Sequence, residues 1–138
     1  MNTLGTLLVI DDDRVTTETF ARMLRLEGFQ VRTALTAESG LRESETAHLD
    51  AIILDLRMPL VDGLGFLYRL RARKGHEDTP VAIVTGDYRL EELVARELMQ
   101  LGAEIHFKPL WLDDLVALAH SLLAAERRLT SSPQAIRH

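Results

Sequence analysis

The sequence predicts an α/β protein built on a doubly wound parallel sheet. Five short apolar runs of strand length alternate with five stretches of helical periodicity along the chain. The loops between them are short, which implies right-handed βαβ crossovers and therefore parallel strands. The middle runs are rich in β-branched residues and contain few charges, as expected for strands covered by helices on both faces.

The predicted strands are short aliphatic runs that end at polar residues. They cover residues 7–10, 30–34, 51–54, 81–84 and 105–107. Pro59 follows the third run and cannot join a central strand, because it has no backbone N–H to donate. The chain must therefore leave the sheet soon after Asp55.

The predicted helices fill the intervals between the strands and have recognisable ends. They cover about residues 14–27, 37–47, a stretch that begins after Asp62-Gly63, 88–100 and 112–127. Gly28 is placed to stop helix one, and Gly102 to stop helix four. Thr36 is a suitable N-cap for helix two, and Pro80 stands between helix three and strand four.

Length and composition limit the class of protein. The 138 residues suit one domain, and the net charge of −5 argues against a dedicated nucleic-acid-binding surface. The absence of cysteine excludes disulfides, thiolate zinc sites and cysteine nucleophiles. The longest apolar stretch is too short for a membrane span, and the first residues lack the basic region of a signal peptide. A cytoplasmic domain is the expectation.

Polar residues at the ends of the predicted strands form the candidate site. They are Asp11, Asp12 and Asp13 after strand one, Asp55 after strand three, Thr85 at the end of strand four and Lys108 after strand five. Each alone has an ordinary explanation as a helix cap, a strand-end hydroxyl or a solvated lysine. The carboxyl ends of parallel strands share one edge, however, so all of these groups can meet in one crevice.

These residues and their spacing resemble the receiver domain of bacterial two-component response regulators. The resemblance rests on four motifs. They are the acids at 11 and 12, the run Leu54 to Pro59 with Asp62-Gly63, Val84-Thr85-Gly86, and Gly102-Ala103 leading to Lys108-Pro109. The match covers residues 4–127. It implies a flavodoxin-like fold with strand order 2-1-3-4-5, a receiver domain at 1–127, and a flexible tail or truncated linker at 128–138.

The resemblance implies that Asp55 is the phosphoacceptor. It would take a phosphoryl group from a phosphohistidine on a sensor histidine kinase or a phosphotransfer protein, and water would later hydrolyse the acyl phosphate. Thr85 and Lys108 would bind phosphoryl oxygens. The expected activity is therefore signalling with slow self-dephosphorylation, without turnover of a dissociable substrate.

A metal ion is expected beside the acceptor, because carboxylates in one crevice repel each other. At about 4 Å and an effective dielectric near 20, one pair costs roughly 4 kcal/mol. Oxygen ligands with room for water suit Mg²⁺. The resemblance implies that Asp12, Asp55 and the backbone carbonyl of Arg57 bind the ion directly, and that Asp11 acts mainly through water.

The resemblance also implies an output surface formed by helix four, strand five and helix five. A downstream protein would bind there and a homodimer is possible, whereas direct nucleic-acid contact and membrane contact are not expected. Ile105 stands where the family carries an aromatic residue, so the usual conformational switch is open to question. Trp111 is expected to pack against the groove between helices four and five, with exposure beside the partner surface as the alternative. The Arg57 side chain either screens the acyl phosphate or pairs with a surface acid.

Two other functions compete with this interpretation. Residues 8–15 fit the pattern of a Mg²⁺-dependent phosphatase of the haloacid dehalogenase type, with Asp11 as nucleophile and Asp13 as acid. That function would leave Asp55 and Lys108 without a role, and the later acidic pair of such enzymes is missing. A phosphorylation-independent adaptor on the same fold is the other alternative.

Overall fold

A computed structural model describes residues 3–131 of the chain, and the side chains of residues 3–125. Five parallel strands lie in the order β2-β1-β3-β4-β5. They are β1 (Thr6–Ile10), β2 (Gln30–Ala34), β3 (Ala51–Leu54), β4 (Val81–Thr85) and β5 (Ala103–Phe107). The helices are α1 (Arg14–Glu27), α2 (Ala37–Thr46), α3 (Gly63–Arg71), α4 (Glu92–Gln100) and α5 (Leu112–Ser131). The predicted doubly wound, flavodoxin-like fold is confirmed.

The signals that begin and end the first two helices act as predicted. Gly28 closes α1 with φ of 117°, a left-handed conformation that favours glycine. The Thr36 hydroxyl accepts the Ser39 N–H at 3.0 Å and caps α2. Both ends are therefore fixed by local chemistry that is visible in the sequence.

Three predicted boundaries were wrong by a few residues. Helix α4 begins at Glu92 instead of residue 88, because the Asp87 carboxylate accepts the Arg89 N–H at 3.0 Å and holds a turn there. Strand β5 begins at Ala103 instead of residue 105, since backbone pairing with β4 includes the charged Glu104. Helix α5 continues to Ser131, past the predicted end at 127. Residues 132–138 of the predicted tail lie outside the described residues.

The sheet is buried on both faces, as the aliphatic strands require. Leu8 and Ile10 of β1 pack into one cluster with residues of α2, α3 and α4. Leu7 and Val9 point to the other face and pack with residues of α1 and α5. Within residues 3–131, no helix combines the length and the apolar character that crossing a bilayer requires. The two apolar layers leave the carboxyl edge of the sheet as the place where polar groups collect.

Candidate functional site

Two acids lie side by side at the carboxyl edge because β1 and β3 are paired in register. Ile10 is opposite Leu54, so the next residues, Asp11 and Asp55, are neighbours just beyond the sheet. The Asp55 N–H donates to the Ile10 carbonyl at 2.8 Å and extends the pairing by one residue. Both acids are buried. With the exposed Asp12, they place three carboxylate oxygens within 4.8 Å of one another.

Lys108 brings a positive charge to these acids from the loop after β5. Its Nζ is 2.9 Å from Asp11 Oδ2 and 3.6 Å from Asp55 Oδ1. Its backbone N–H donates to the Thr85 carbonyl at 2.8 Å, which ties the loop to β4. Burial acts to lower the pKa of Lys108, but the hydrogen bond and charge of Asp11, followed by Asp55, outweigh it and raise that pKa. The ammonium is therefore held in its charged form.

The charges at this edge remain unbalanced in favour of the acids. Burial, followed by the charge of Asp11, raises the pKa of Asp55 to about 6 from an ordinary value of 3.8, although Lys108 acts in the opposite direction. One ammonium faces three carboxylates, so a further cation would relieve the repulsion. A hard divalent cation that prefers oxygen ligands, such as Mg²⁺, fits this donor set.

Thr85 completes the group from the end of β4. The residue is fully buried, and its hydroxyl oxygen accepts the Asp87 N–H at 3.1 Å. Strand β4 lies between β3 and β5, which places Thr85 between the strands that lead to Asp55 and Lys108. The predicted carboxylates, hydroxyl and ammonium thus all occupy the same edge of the sheet.

Gly63 allows the loop after β3 to return to the acceptor, a role that sequence reasoning missed. A Cβ on Gly63 would lie 2.9 Å from both the Asp55 carbonyl oxygen and the Leu56 Cα. The Gly63 N–H donates to the Leu56 carbonyl at 2.8 Å. Only a residue without a side chain permits this approach. The sequence identifies Asp62-Gly63 as the start of a helix and as part of the receiver motif, but the close packing at Gly63 has no signal in a single sequence.

The Arg57 side chain pairs with Asp87, which agrees with the second of its two predicted roles. Arg57 Nε donates to Asp87 Oδ2 at 2.9 Å, and a second guanidinium nitrogen bonds the same oxygen. The hydrogen bonds from Arg57 lower the pKa of Asp87. This ion pair joins the loop after β3 to the loop after β4 beside the site. The position of the Arg57 carbonyl as a metal ligand stays a prediction.

Asp13 takes part in helix capping and is not one of the three clustered acids. Its carboxylate accepts the Val15 N–H at 3.2 Å and the Thr16 hydroxyl at 2.6 Å. The hydrogen bond from Thr16 lowers the pKa of Asp13. A phosphatase would need Asp13 as a proton donor in the site, and a capping carboxylate of low pKa does not suit that role.

The side chains around β5 depart in part from expectation. Ile105 is half-buried and packs against the core cluster on the α2, α3 and α4 side of the sheet. His106 is partly exposed and lies 3.1 Å from Glu104. Trp111 is 71% exposed, so the prediction that it packs between α4 and α5 was wrong. It lies just before α5, where its backbone N–H donates to the Asp114 carboxylate at 3.3 Å and its ring is left on the surface.

Fold and site together define a doubly wound α/β protein with an acidic metal-type site and a lysine at the carboxyl edge of its sheet. The family model described as response regulator receiver domain matches residues 7–120. The chain therefore belongs to the receiver domains of response regulators. Receiver domains bind Mg²⁺ at an acidic cluster, and the corresponding cluster here is Asp11, Asp12 and Asp55.

Curated relatives support this assignment. The transcriptional regulatory protein PrrA of Mycobacterium leprae is 36% identical over 118 residues, which are 85% of this chain and 49% of PrrA. The cell cycle transcriptional regulator CtrA of Caulobacter vibrioides is 32% identical over 118 residues, again 85% of this chain and 49% of the relative. The chain thus spans about half the length of the curated relatives it matches.

Solved structures agree with the fold. A response regulator receiver domain protein from Clostridium thermocellum superposes with a TM-score of 0.80 at 29% identity, covering 91% of this chain and 99% of that one. A CheY-like receiver domain protein from Methanospirillum hungatei gives a TM-score of 0.83 at 24% identity, covering 91% and 98%. The second likeness concerns the fold alone.

Proposed function

We propose that the chain is the phosphoacceptor module of a two-component phosphorelay and that Asp55 is the acceptor. The observation that carries the proposal is the Lys108 ammonium, which lies between Asp11 and Asp55 at the edge of the sheet. The phosphoryl group would bring negative charge to Asp55, a buried acid of raised pKa. The Lys108 ammonium beside it can stabilise that charge. The donor would be a sensor histidine kinase or a phosphotransfer protein.

The proposed transfer needs positioning more than acid or base chemistry. An Asp55 oxygen attacks phosphorus, the N–P bond of the phosphohistidine breaks, and its electron pair stays on the imidazole nitrogen, which takes a proton from solvent. Lys108 and the Thr85 hydroxyl each bind one equatorial phosphoryl oxygen. Later, water attacks the phosphorus of the acyl phosphate, which releases inorganic phosphate and restores the Asp55 carboxylate. The chain is thus a signalling module without turnover of a separate substrate.

Mg²⁺ would be held by Asp12, Asp55 and the backbone carbonyl of Arg57, with Asp11 acting mainly through water. When bound, the ion supplies positive charge to the acids and to the incoming phosphoryl group. The three carboxylates and their shortage of nearby cations support this proposal. The part of this chain is to hold the acids in place through the strand pairing of β1 and β3.

Phosphorylation would alter the affinity of the α4, β5 and α5 surface for a downstream protein. A second copy of the chain is the other proposed partner. Direct nucleic-acid contact and membrane contact are not part of the proposal, and the proposed location is the cytoplasm. The receiver domain would occupy residues 1–127, with a tail or linker at 128–138, although α5 itself crosses that boundary.

Incubation with Mg²⁺ and acetyl phosphate, followed by intact mass spectrometry, tests the proposal. The chain should gain one phosphoryl group, about 80 Da. The Asp55→Asn variant should gain none, because it lacks the nucleophilic carboxylate. If neither acetyl phosphate nor a cognate kinase produces the increment, the phosphorylation-independent adaptor replaces this proposal. If Asp55→Asn still gains it, the acceptor is another residue.

A further inference from the structure

Two aromatic side chains stack on the surface beside the site without joining either core cluster. Tyr88, in the loop after β4, is 68% exposed, and Phe107, the last residue of β5, is 43% exposed. Their ring centroids are 5.6 Å apart with an angle of 21° between the planes. A stacked pair of this kind restrains both side chains beyond what their burial alone would do. The stack therefore restrains the Tyr88 ring against Phe107.

That hydroxyl donates a hydrogen bond to the backbone carbonyl oxygen of Lys108. On the other side of the same residue, the Lys108 N–H donates to the Thr85 carbonyl at 2.8 Å. The Lys108 backbone is thus held at both of its polar groups by residues of β4 and the loop that follows. Its ammonium then reaches Asp11 at 2.9 Å and Asp55 at 3.6 Å. These two hydrogen bonds restrain the point from which the Lys108 side chain leaves the backbone.

The loop that carries Tyr88 is itself connected to the site. The Asp87 N–H donates to the Thr85 hydroxyl oxygen at 3.1 Å, and the Asp87 carboxylate holds Arg57 and the Arg89 N–H. Tyr88 lies in the chain between Asp87 and Arg89, which these hydrogen bonds hold in place. One hydrogen bond joins Thr85 to Asp87, and another joins Lys108 to Tyr88. A movement of Thr85 or Lys108 at the site would therefore be felt directly by the segment that carries the exposed ring.

From these contacts we infer that Tyr88 is a positioning residue for phosphoryl binding, acting through the Lys108 backbone, and that its exposed ring reports occupancy of the site. The inference rests on the proposed function, because it assigns Lys108 to a phosphoryl oxygen. Tyr88 does not itself touch the acids. Mg²⁺ binding depends first on the carboxylates, which Tyr88 reaches only through the Lys108 ammonium, whereas a phosphoryl oxygen would contact that ammonium directly. Phosphoryl binding is therefore more sensitive to Tyr88 than Mg²⁺ binding is.

The test uses Tyr88→Phe, which keeps the ring and its stack but removes the hydroxyl. The matched control is Tyr68→Phe, because Tyr68 is the only other tyrosine, is 49% exposed, and donates its hydroxyl to Glu97 away from the site. Two ligands are titrated into each protein: Mg²⁺ alone, and then beryllium fluoride with saturating Mg²⁺ as the phosphoryl mimic. Ring signals of the two tyrosines are followed by NMR and assigned from the same variants.

The expected result is a split between the two ligands. Tyr88→Phe should weaken beryllium fluoride binding about two- to tenfold, the contribution of one hydrogen bond, and should not weaken Mg²⁺ binding, because a less firmly held Lys108 ammonium competes less with the ion for the carboxylates. Tyr68→Phe should change neither, and beryllium fluoride should shift the Tyr88 ring signals in the unmodified protein but leave those of Tyr68 in place.

Two results would overturn the inference alone. Tyr88→Phe could bind both ligands as the unmodified protein does, which would mean that the hydroxyl does not position Lys108. It could instead weaken both ligands equally, which would indicate a general distortion of the loop. If the unmodified protein binds no beryllium fluoride at all, the proposed function fails and this inference fails with it.

Discussion

Replacing Asp55 by asparagine should stabilise the metal-free protein, although it removes the acceptor. The ionised carboxylate is buried beside Asp11, and these two effects raise its pKa to about 6. Asparagine has nearly the same shape and carries no charge. The substitution therefore removes the repulsion while keeping the packing at the edge of the sheet.

The size of the effect follows from the pKa. A rise from 3.8 to about 6 corresponds to about 3 kcal/mol of unfavourable free energy for the charged form. This net shift already includes the opposing attraction to Lys108 at 3.6 Å, and asparagine still has to bury a polar amide, so we expect a gain of about 1–3 kcal/mol. The folded chain keeps a proton on Asp55 that the unfolded chain has released. The contribution of Asp55 to stability therefore falls as pH rises from 3.8 through about 6, and the gain from Asp55→Asn is complete above that window.

Urea unfolding in the presence of a chelator measures this effect at about pH 7.5 and about pH 4. Asp55→Asn should be more stable than the unmodified protein at the higher pH and nearly equal to it at the lower. Asp13→Asn is the matched control, because the pKa of Asp13 is lowered by its hydrogen bond from Thr16, and its neutralisation should give no gain. Equal stability of Asp55→Asn and the unmodified protein at pH 7.5 would refute the electrostatic account of the site.

Three further outcomes are expected. At ten times its dissociation constant, Mg²⁺ should raise the free energy of unfolding by about 1.4 kcal/mol, and a chelator should reverse this gain. A similar gain in Asp55→Asn would mean that the ion binds elsewhere. Gly63→Ala should lower the free energy of unfolding in urea by about 1–3 kcal/mol, since the added Cβ would lie 2.9 Å from backbone atoms of Asp55 and Leu56. An unchanged urea midpoint would contradict the close packing. Arg57→Ala should change the half-life of the acyl phosphate several-fold, measured by loss of the mass increment. Asp87→Ala should also change it, because this substitution releases the guanidinium that Arg57→Ala removes. A constant half-life in both variants would exclude the ion pair from any role in dephosphorylation.

Most of the sheet could be predicted because short aliphatic runs bounded by turn residues fit few structures other than buried strands. The bounds of β2 and β3 agree with the predicted ones, and the polar residues that end the strands all reach one edge. The signal is strong there because hydrophobic pattern, turn residues and parallel topology give the same answer. The start of α4 was missed because the turn held by Asp87 competes with helical periodicity that already begins at Leu90.

The fine geometry of the site could not be predicted from residue types. The Arg57–Asp87 ion pair and the Tyr88 bond to Lys108 each join loops that lie far apart in the chain. Their formation depends on the paths of those loops, which a single sequence does not specify. The exposure of Trp111 was missed for the same reason, since an aromatic residue before a helix packs or projects according to the turn that carries it.

Locating the phosphoryl group tests the central claim most directly. The protein is treated with Mg²⁺ and acetyl phosphate, the acyl phosphate is reduced with hydride to homoserine, and peptides are sequenced by mass spectrometry. We predict homoserine at Asp55, in an amount that falls when Mg²⁺ is removed. Homoserine at Asp11 or Asp13, or none at Asp55 in a protein that has gained the phosphoryl mass, would contradict the account.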